Sequence, residues 1–410
     1  MQTKQTHWAS LLTLIVIATS LFFLLLLSAM LGLTSLVDLF AETGEGVDPA
    51  SGMISAVAFG FLGVMLLICG WLVLQKTRGL ESADLPFNFP FVSWLWVVIP
   101  AVVFISILVG GLVTLAELPW LNWIVLPFLT VLVIASPIWL VFGAASRGIE
   151  LGPRWRFFSI FGLSLTVAPV LMVVFELVMV VLIILVGAVY VSFAQPELVR
   201  ELEAMMLSFN ENMSQEALLA MLAPYLRNPV LIATGIGYIA IIVPLIEEML
   251  KPLAVWLFAR KIESPAQGFA LGVLSGAAFA LFESLNASAD GSMTWAVIVT
   301  ARTGTSLLHM MTSGLVGWGI ASAFGERRIG RFFAAYALAV LIHGIWNAAA
   351  AGTGIAAIGE MIGRPEWVFT VAPALVCGLI TLAIGICAVL IASNRKLRAQ
   401  PAEVKVESPA

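Results

Sequence analysis

The chain of 410 residues has little charge, few histidines and few cysteines. Only 11% of its residues are charged, whereas a soluble globular protein has about 25%. Apolar residues make up 61%, and the mean hydropathy is +1.06. A single water-soluble core could not bury so much apolar surface, which argues against a soluble enzyme, a disordered protein or a nucleic-acid-binding protein. The three cysteines lie within apolar runs and form neither a disulfide framework nor a CxxC metal site.

Long apolar runs are what the chain has instead. A membrane span needs roughly 20 apolar residues, and the first run is too long for the core of a cleaved signal peptide. These runs predict an all-α fold, a polytopic transmembrane helical bundle of about ten spans. The spans are expected at 8–37, 53–75, 94–115, 122–145, 157–193, 229–258, 266–286, 296–324, 332–350 and 367–393.

The basic residues are sorted to one side of these spans, which predicts the orientation. Cytoplasmic termini place 15 of the 20 lysines and arginines on the inner side and three on the outer side. Reading 157–193 as a single long span keeps every later loop consistent with this count. We therefore predict an integral protein of the plasma membrane with both termini in the cytoplasm.

The spans and loops suggest five regions along the chain. Residues 1–194 form an N-terminal membrane region of about five spans, and 195–228 form an extracytoplasmic segment with amphipathic helices near 197–209 and 215–226. A four-helix core is expected at 229–351 and a final span at 352–393. The polar residues 394–410 are expected to be a disordered cytoplasmic tail.

Ionisable residues are almost absent from the first five spans and concentrate in the next four. A charge at mid-membrane costs about 2.5–3.5 kcal/mol, so such residues indicate a functional site. Residues four apart share a helix face, as Glu247 and Lys251 do, and the resulting polar stripes should face one another because lipid cannot satisfy them. The set comprises Glu247, Glu248, Lys251, Glu283, Arg302, His309, His343 and Asn347.

Carboxylates, imidazoles and an amide in one pocket suit the activation of water. In one interpretation His309, His343 and Glu283 hold Zn²⁺ with an open position for water. Glu247 or Glu248 would then be the general base. In the other interpretation no metal is present, and a glutamate and a histidine activate water directly.

The remaining polar residues have supporting roles in these interpretations. Lys251 and Arg302 could neutralise or orient a carboxylate, and Asn347 could donate a hydrogen bond to a developing oxyanion. Residue types alone do not decide between the mechanism with zinc and the one without it. A proton relay of buried Glu, His and Lys in an ion-coupled transporter is the alternative function.

Four sequence motifs in this region resemble those of PrsW-type intramembrane metalloproteases, in the CAAX protease and bacteriocin-processing superfamily. They agree in order and spacing across about 229–350. The motifs are Pro244-Leu-Ile-Glu-Glu-Met-Leu-Lys251, the glycine-rich helix ending in Phe279-Ala-Leu-Phe-Glu283, Arg302 followed by His309 and Gly317, and Leu341-Ile-His-Gly-Ile-Trp-Asn347.

The resemblance implies a protease in the bacterial plasma membrane that cuts membrane proteins or membrane-anchored peptides, such as anti-sigma factors. Its active-site positions correspond here to Glu247, Glu248, His309 and His343. One departure is Ser284, where the family often has asparagine. The resemblance does not cover the first five spans, and neither the cleavage site nor the oligomeric state follows from it.

Overall fold

The computed structural model describes residues 7–40, 48–194, 196–208, 213, 215–359, 362–363 and 370–399. In this part of the chain the regular secondary structure is helical, and one isolated bridge joins Pro86 to Pro153. The all-α prediction is confirmed for these residues.

The first seven helices run from the N-terminal end to the predicted extracytoplasmic segment. They are α1 (Trp8–Phe40), α2 (Pro49–Thr77), α3 (Leu95–Leu115), α4 (Pro119–Ser146), α5 (Arg154–Ala194), α6 (Pro196–Ser208) and α7 (Gln215–Arg227). The stretch predicted as one long span is indeed the single helix α5, and α6 and α7 correspond to the two predicted amphipathic helices.

The motif-bearing region follows α7. It begins with α8 (Pro229–Gly237), continues through a π-helical turn (Tyr238–Ile242) into α9 (Val243–Leu250), and resumes as α10 (Leu253–Phe258). The long helices α11 (Pro265–Ala287), α12 (Trp295–Glu326), α13 (Ile329–Ala357) and α14 (Ala372–Arg398) complete the described fold. Within the described residues, ten helical stretches are long and apolar enough to cross a membrane, which confirms the predicted polytopic bundle.

The end of α14 differs from the sequence-based expectation. Residues 394–398, predicted as the start of a disordered tail, are the last turns of this helix. Asn394 and Leu397 are buried, so this polar end of the helix packs on protein. Residues 400–410 of the predicted tail lie outside the described part of the chain.

The chain divides into two compact units that cross the predicted regional boundaries. The first unit comprises Met1–Pro169, Glu248–Ala339 and Ala383–Ala410, and the second comprises Val170–Glu247 and Val340–Leu382. Each motif residue therefore belongs to one unit or the other, and the change of unit falls between the paired glutamates.

Helix α11 lies at the core of the first unit. It packs against α12, α4, α2 and α10, and most of its residues are buried. Because protein surrounds it, α11 can carry small and polar residues that would be costly against lipid. In the second unit, α8 packs on α7 and on the π-helical turn, and the hydroxyl of Tyr238 donates to the backbone oxygen of Glu176.

Candidate active site

The helix that carries the paired glutamates is interrupted directly after Lys251. Pro252 has no N–H to continue the helical hydrogen bonds, so α9 ends at Leu250 and α10 begins at Leu253. The backbone oxygen of Lys251 accepts a hydrogen bond of 2.5 Å from the hydroxyl of Ser275. That hydroxyl is also 2.7 Å from the hydroxyl of Ser164. Hydrogen bonds of these two serines therefore connect the interrupted helix to α11 and α5.

Lys251 forms a buried ion pair with the second glutamate of the pair. Its Nζ lies 2.5 Å from Oε1 of Glu248, and neither side chain is exposed. Sequence spacing pointed to Glu247, four residues before Lys251, as the neighbour on the same face. The structure pairs Lys251 with Glu248, three residues before it, which is the other spacing that places two side chains on one helix face. A buried pair of this kind is held firmly, since removing one partner leaves an unpaired charge.

His309 on α12 links two charged groups of the first unit. Its Nε2 lies 2.6 Å from Oε2 of Glu283, and its Nδ1 lies 3.0 Å from Nζ of Lys251. Arg302 places a guanidinium nitrogen 2.7 Å from the same Glu283 oxygen. A carboxylate accepts, so this network assigns the imidazole proton to Nε2, and the lone pair on Nδ1 accepts a hydrogen bond from Nζ of Lys251.

Glycines on α11 allow α12 to approach closely enough for these contacts. A Cβ atom added at Gly276 would lie 2.3 Å from the backbone oxygen of His309. One added at Gly272 would lie 2.3 Å from the backbone oxygen of Ser313. Side chains at these positions would force the helices apart, which explains the four-residue glycine spacing.

In the second unit, His343 on α13 lies beside the first glutamate of the pair. Its Nε2 is 3.9 Å from Oε2 of Glu247, and both residues are buried. This separation is too long for a hydrogen bond. It is short enough for both atoms to bind one ion, since zinc lies about 2.0–2.2 Å from nitrogen and oxygen ligands.

The π-helical turn before the paired glutamates is fixed by α13. Nδ2 of Asn347 donates a hydrogen bond of 3.0 Å to the backbone oxygen of Ile239. A Cβ atom added at Gly344 would lie 2.3 Å from the backbone oxygen of Ala240. Asn347 therefore uses one donor on the backbone of the turn, and π-helical turns occur frequently at functional sites.

The structure thus divides the predicted site residues between the two units. The first unit brings together Glu248, Lys251, Glu283, Arg302 and His309. The second unit brings together Glu247 and His343 and places Asn347 on the π-helical turn. Sequence reasoning missed Ser164 on α5, Ser275 on α11 and the π-helical turn. The position of Ser275 within the glycine-rich part of α11 was a signal that could have found it.

The side chains available for a metal are buried and of the appropriate type. Within the second unit, Glu247 and His343 could each offer one ligand atom to an ion. His309 offers an imidazole nitrogen within the first unit. His309 already has the carboxylate partner on its second nitrogen that metal-binding histidines usually have. That carboxylate belongs to Glu283, whose role as a metal ligand stays a prediction. Imidazole nitrogens and a carboxylate oxygen are donor types that suit a divalent metal such as zinc.

The comparison with curated proteins and the comparison with solved structures found no match to the chain. A family model described as the PrsW family intramembrane metalloprotease matches residues 152–377, which is more than half of the chain. The match contains all eight polar residues singled out from the sequence. Together with the ten membrane-spanning helices, it shows that this chain is an integral membrane protein that belongs to the PrsW family of intramembrane metalloproteases.

Proposed function

We propose that the protein is an endopeptidase that hydrolyses peptide bonds of membrane-associated proteins with a metal-bound water. The observation that carries this proposal is the pairing of His309 with Glu283. A structural histidine needs no ionised partner at mid-membrane, whereas a metal-binding histidine gains both orientation and basicity from one.

Glu247, His309 and His343 are the ligands in this proposal, and Zn²⁺ is the metal. Two imidazoles and a carboxylate are a common catalytic zinc set, with the fourth position open to water. Glu247 and Glu248 are consecutive, so the backbone itself keeps a ligand next to a second carboxylate. When bound, the metal supplies acidification of water and polarisation of the scissile carbonyl.

Glu248 is the general base in this proposal. Its carboxylate accepts the proton of the attacking water and then passes it to the leaving amine as the peptide C–N bond breaks. Lys251, at 2.5 Å, holds the carboxylate in one position. Arg302 balances the charge of Glu283. Asn347 acts as a positioning residue through Ile239, in place of the oxyanion role suggested by the sequence.

The substrate class follows from the family and the setting. An active site among membrane spans admits a chain that is itself in or at the bilayer. We propose a membrane protein or membrane-anchored regulator of the anti-sigma-factor kind, cut in the bacterial inner membrane by an enzyme with cytoplasmic termini. The excess of basic residues in the connections that would face the cytoplasm supports this orientation.

The test compares full-length variants reconstituted in liposomes with a fluorogenic transmembrane peptide, with zinc measured by elemental analysis. Glu247→Gln and His343→Gln should lose both zinc and cleavage. Glu248→Gln should keep stoichiometric zinc and lose cleavage by at least about 100-fold, because only the base is removed. Glu176→Gln, an intramembrane glutamate outside the site, is the matched control and should keep both.

Two results would overturn parts of this proposal. Full cleavage by metal-free wild-type protein would select direct activation of water by glutamate and histidine. No cleavage by the wild type, together with a proton-coupled flux that Glu283→Gln abolishes, would select the transporter alternative.

A further inference from the structure

A cleft in the first unit lies outside the active site, where α3 begins and α4 and α14 end. Its volume is about 220 Å³. Three arginines, an asparagine and two aromatic rings line most of it: Arg147, Arg395, Arg398, Asn394, Phe91 and Trp96. No carboxylate lines it, and within the described residues none of the three arginines has an acidic partner. Three like charges facing one cavity favour an anionic ligand.

Buried residues and backbone contacts fix the shape of the cleft. Asn394 is 4% exposed, and its Nδ2 donates to the backbone oxygens of Ala145 at 2.8 Å and Arg147 at 2.9 Å. Gly148 has a φ of +73°, and a Cβ atom added there would contact Cδ of Arg398. These contacts fix the end of α14 against the end of α4 and explain why the helix continues beyond residue 393.

The end of α4 does not need these arginines as caps, whereas Arg395 and Arg398 also lie in the last turn of α14, where cations are favourable. Cations near a helix C-terminus can satisfy its last carbonyls, and α4 and α14 both end here. Asn394, however, already donates to two of the α4 carbonyls. The guanidinium of Arg147 lies 5.9 Å from the ring centre of Phe91, a position that holds it at the mouth of the cleft.

We propose that this cleft binds the phosphate of an anionic phospholipid. It lies at the ends of three membrane spans, which is the depth of lipid headgroups. Trp96 is partly exposed beside it, and tryptophan favours the interface. Basic pockets between spans on the cytoplasmic side suit anionic headgroups. The guanidinium groups bind the phosphate, and the acyl chains extend along the apolar surface of the spans.

The test is native mass spectrometry of the full-length protein released from mixed vesicles of phosphatidylglycerol and phosphatidylcholine. The triple variant Arg147→Gln, Arg395→Gln, Arg398→Gln should retain phosphatidylglycerol at least about tenfold less well than the wild type. The matched control is Arg154→Gln, Arg260→Gln, Arg327→Gln, which removes three charges outside the cleft and should retain the lipid. Equal retention by the triple variant and the wild type, or equal loss in the control, would overturn the proposal.

Inorganic phosphate distinguishes a lipid from a soluble anion. Added at millimolar concentration, it should leave the bound phosphatidylglycerol in place. Complete displacement by phosphate would assign the cleft to a free anion and overturn the lipid assignment. Thermal unfolding of the triple variant checks folding, and Asn394 is retained in it so that the contact between α4 and α14 is kept.

Discussion

Nε2 of His309 lies 2.6 Å from Oε2 of Glu283, and this contact joins α12 to α11 within the first unit. The carboxylate fixes the ring and its tautomer, so that Nδ1 carries the lone pair. Glu283 therefore acts on His309 rather than on a metal directly, in the mechanism that we propose.

Replacing Glu283 should weaken zinc binding without abolishing it. Removing the carboxylate partner of a metal-binding histidine typically costs about 10–100-fold in metal affinity. We expect a loss of that size in Glu283→Gln, measured by competition with a zinc chelator, and no change in the control Glu150→Gln. Failure of Glu283→Gln to hold stoichiometric zinc even at saturation would instead make Glu283 a ligand.

Breaking the ion pair of Glu248 and Lys251 should destabilise the protein strongly. Removing one partner of a fully buried pair costs about 3–5 kcal/mol, because the other charge is left buried. Lys251→Met should therefore lower the free energy of unfolding in detergent by about that amount, and adding Glu248→Gln should recover much of it.

The control for this experiment is Lys76→Met, which breaks the exposed pair of Lys76 and Asp84. Its side chains are 20% and 51% exposed, so the loss should stay below about 1 kcal/mol. Equal losses in Lys251→Met and Lys76→Met would contradict the buried pairing.

A methyl group at Gly276 should disrupt the contact of α11 and α12. The added Cβ would lie 2.3 Å from a backbone oxygen, and overpacking of this kind costs about 1–3 kcal/mol. We expect Gly276→Ala to lower the unfolding midpoint and the cleavage rate together, since the backbone of His309 must move. Gly111→Ala, in α3, meets no atom within 4 Å and should be neutral or slightly stabilising. Equal changes in unfolding midpoint and cleavage rate in Gly276→Ala and Gly111→Ala would contradict the importance of the close approach of α11 and α12.

The connection between α11 and α12 should lose stability in acid. Burial raises the pKa of Asp290, but hydrogen bonds from Thr294 and Ser292 outweigh burial and leave this pKa below its ordinary value. An aspartate whose pKa is lower in the folded state than in the unfolded state stabilises the fold. This stabilisation is fully present when the pH is above the unfolded-state pKa of about 3.9, and it is lost as the pH falls through the folded-state pKa.

The difference in unfolding midpoint between wild type and Asp290→Asn should therefore be constant from about pH 7 to pH 5 and shrink towards pH 3. Thr294→Val removes one of the donors and should reduce the acid-dependent part of the difference. A difference that did not change with pH would contradict a role for ionised Asp290.

The paired glutamates show where sequence reasoning succeeded and where it stopped. Their position in an apolar run indicated a functional site, since a buried charge there is costly. Helical spacing then suggested Glu247 as the neighbour of Lys251, whereas the structure pairs the lysine with Glu248. Helical spacing allows both neighbours, because residues three and four apart lie on the same face, and only the packing of the side chains selects one of them.

Hydropathy alone determined the ten spans, and the rare ionisable residues alone marked the four that carry the motifs. Both inferences are local, because the bilayer requires each span to satisfy its own length and polarity. Only the tertiary structure decided that Glu283 serves both His309 and Arg302, that Asn347 supports a π-helical turn, and that arginines from two distant segments share a cleft. These relationships depend on the packing of helices far apart in the chain, and no periodicity within a single helix encodes such distances.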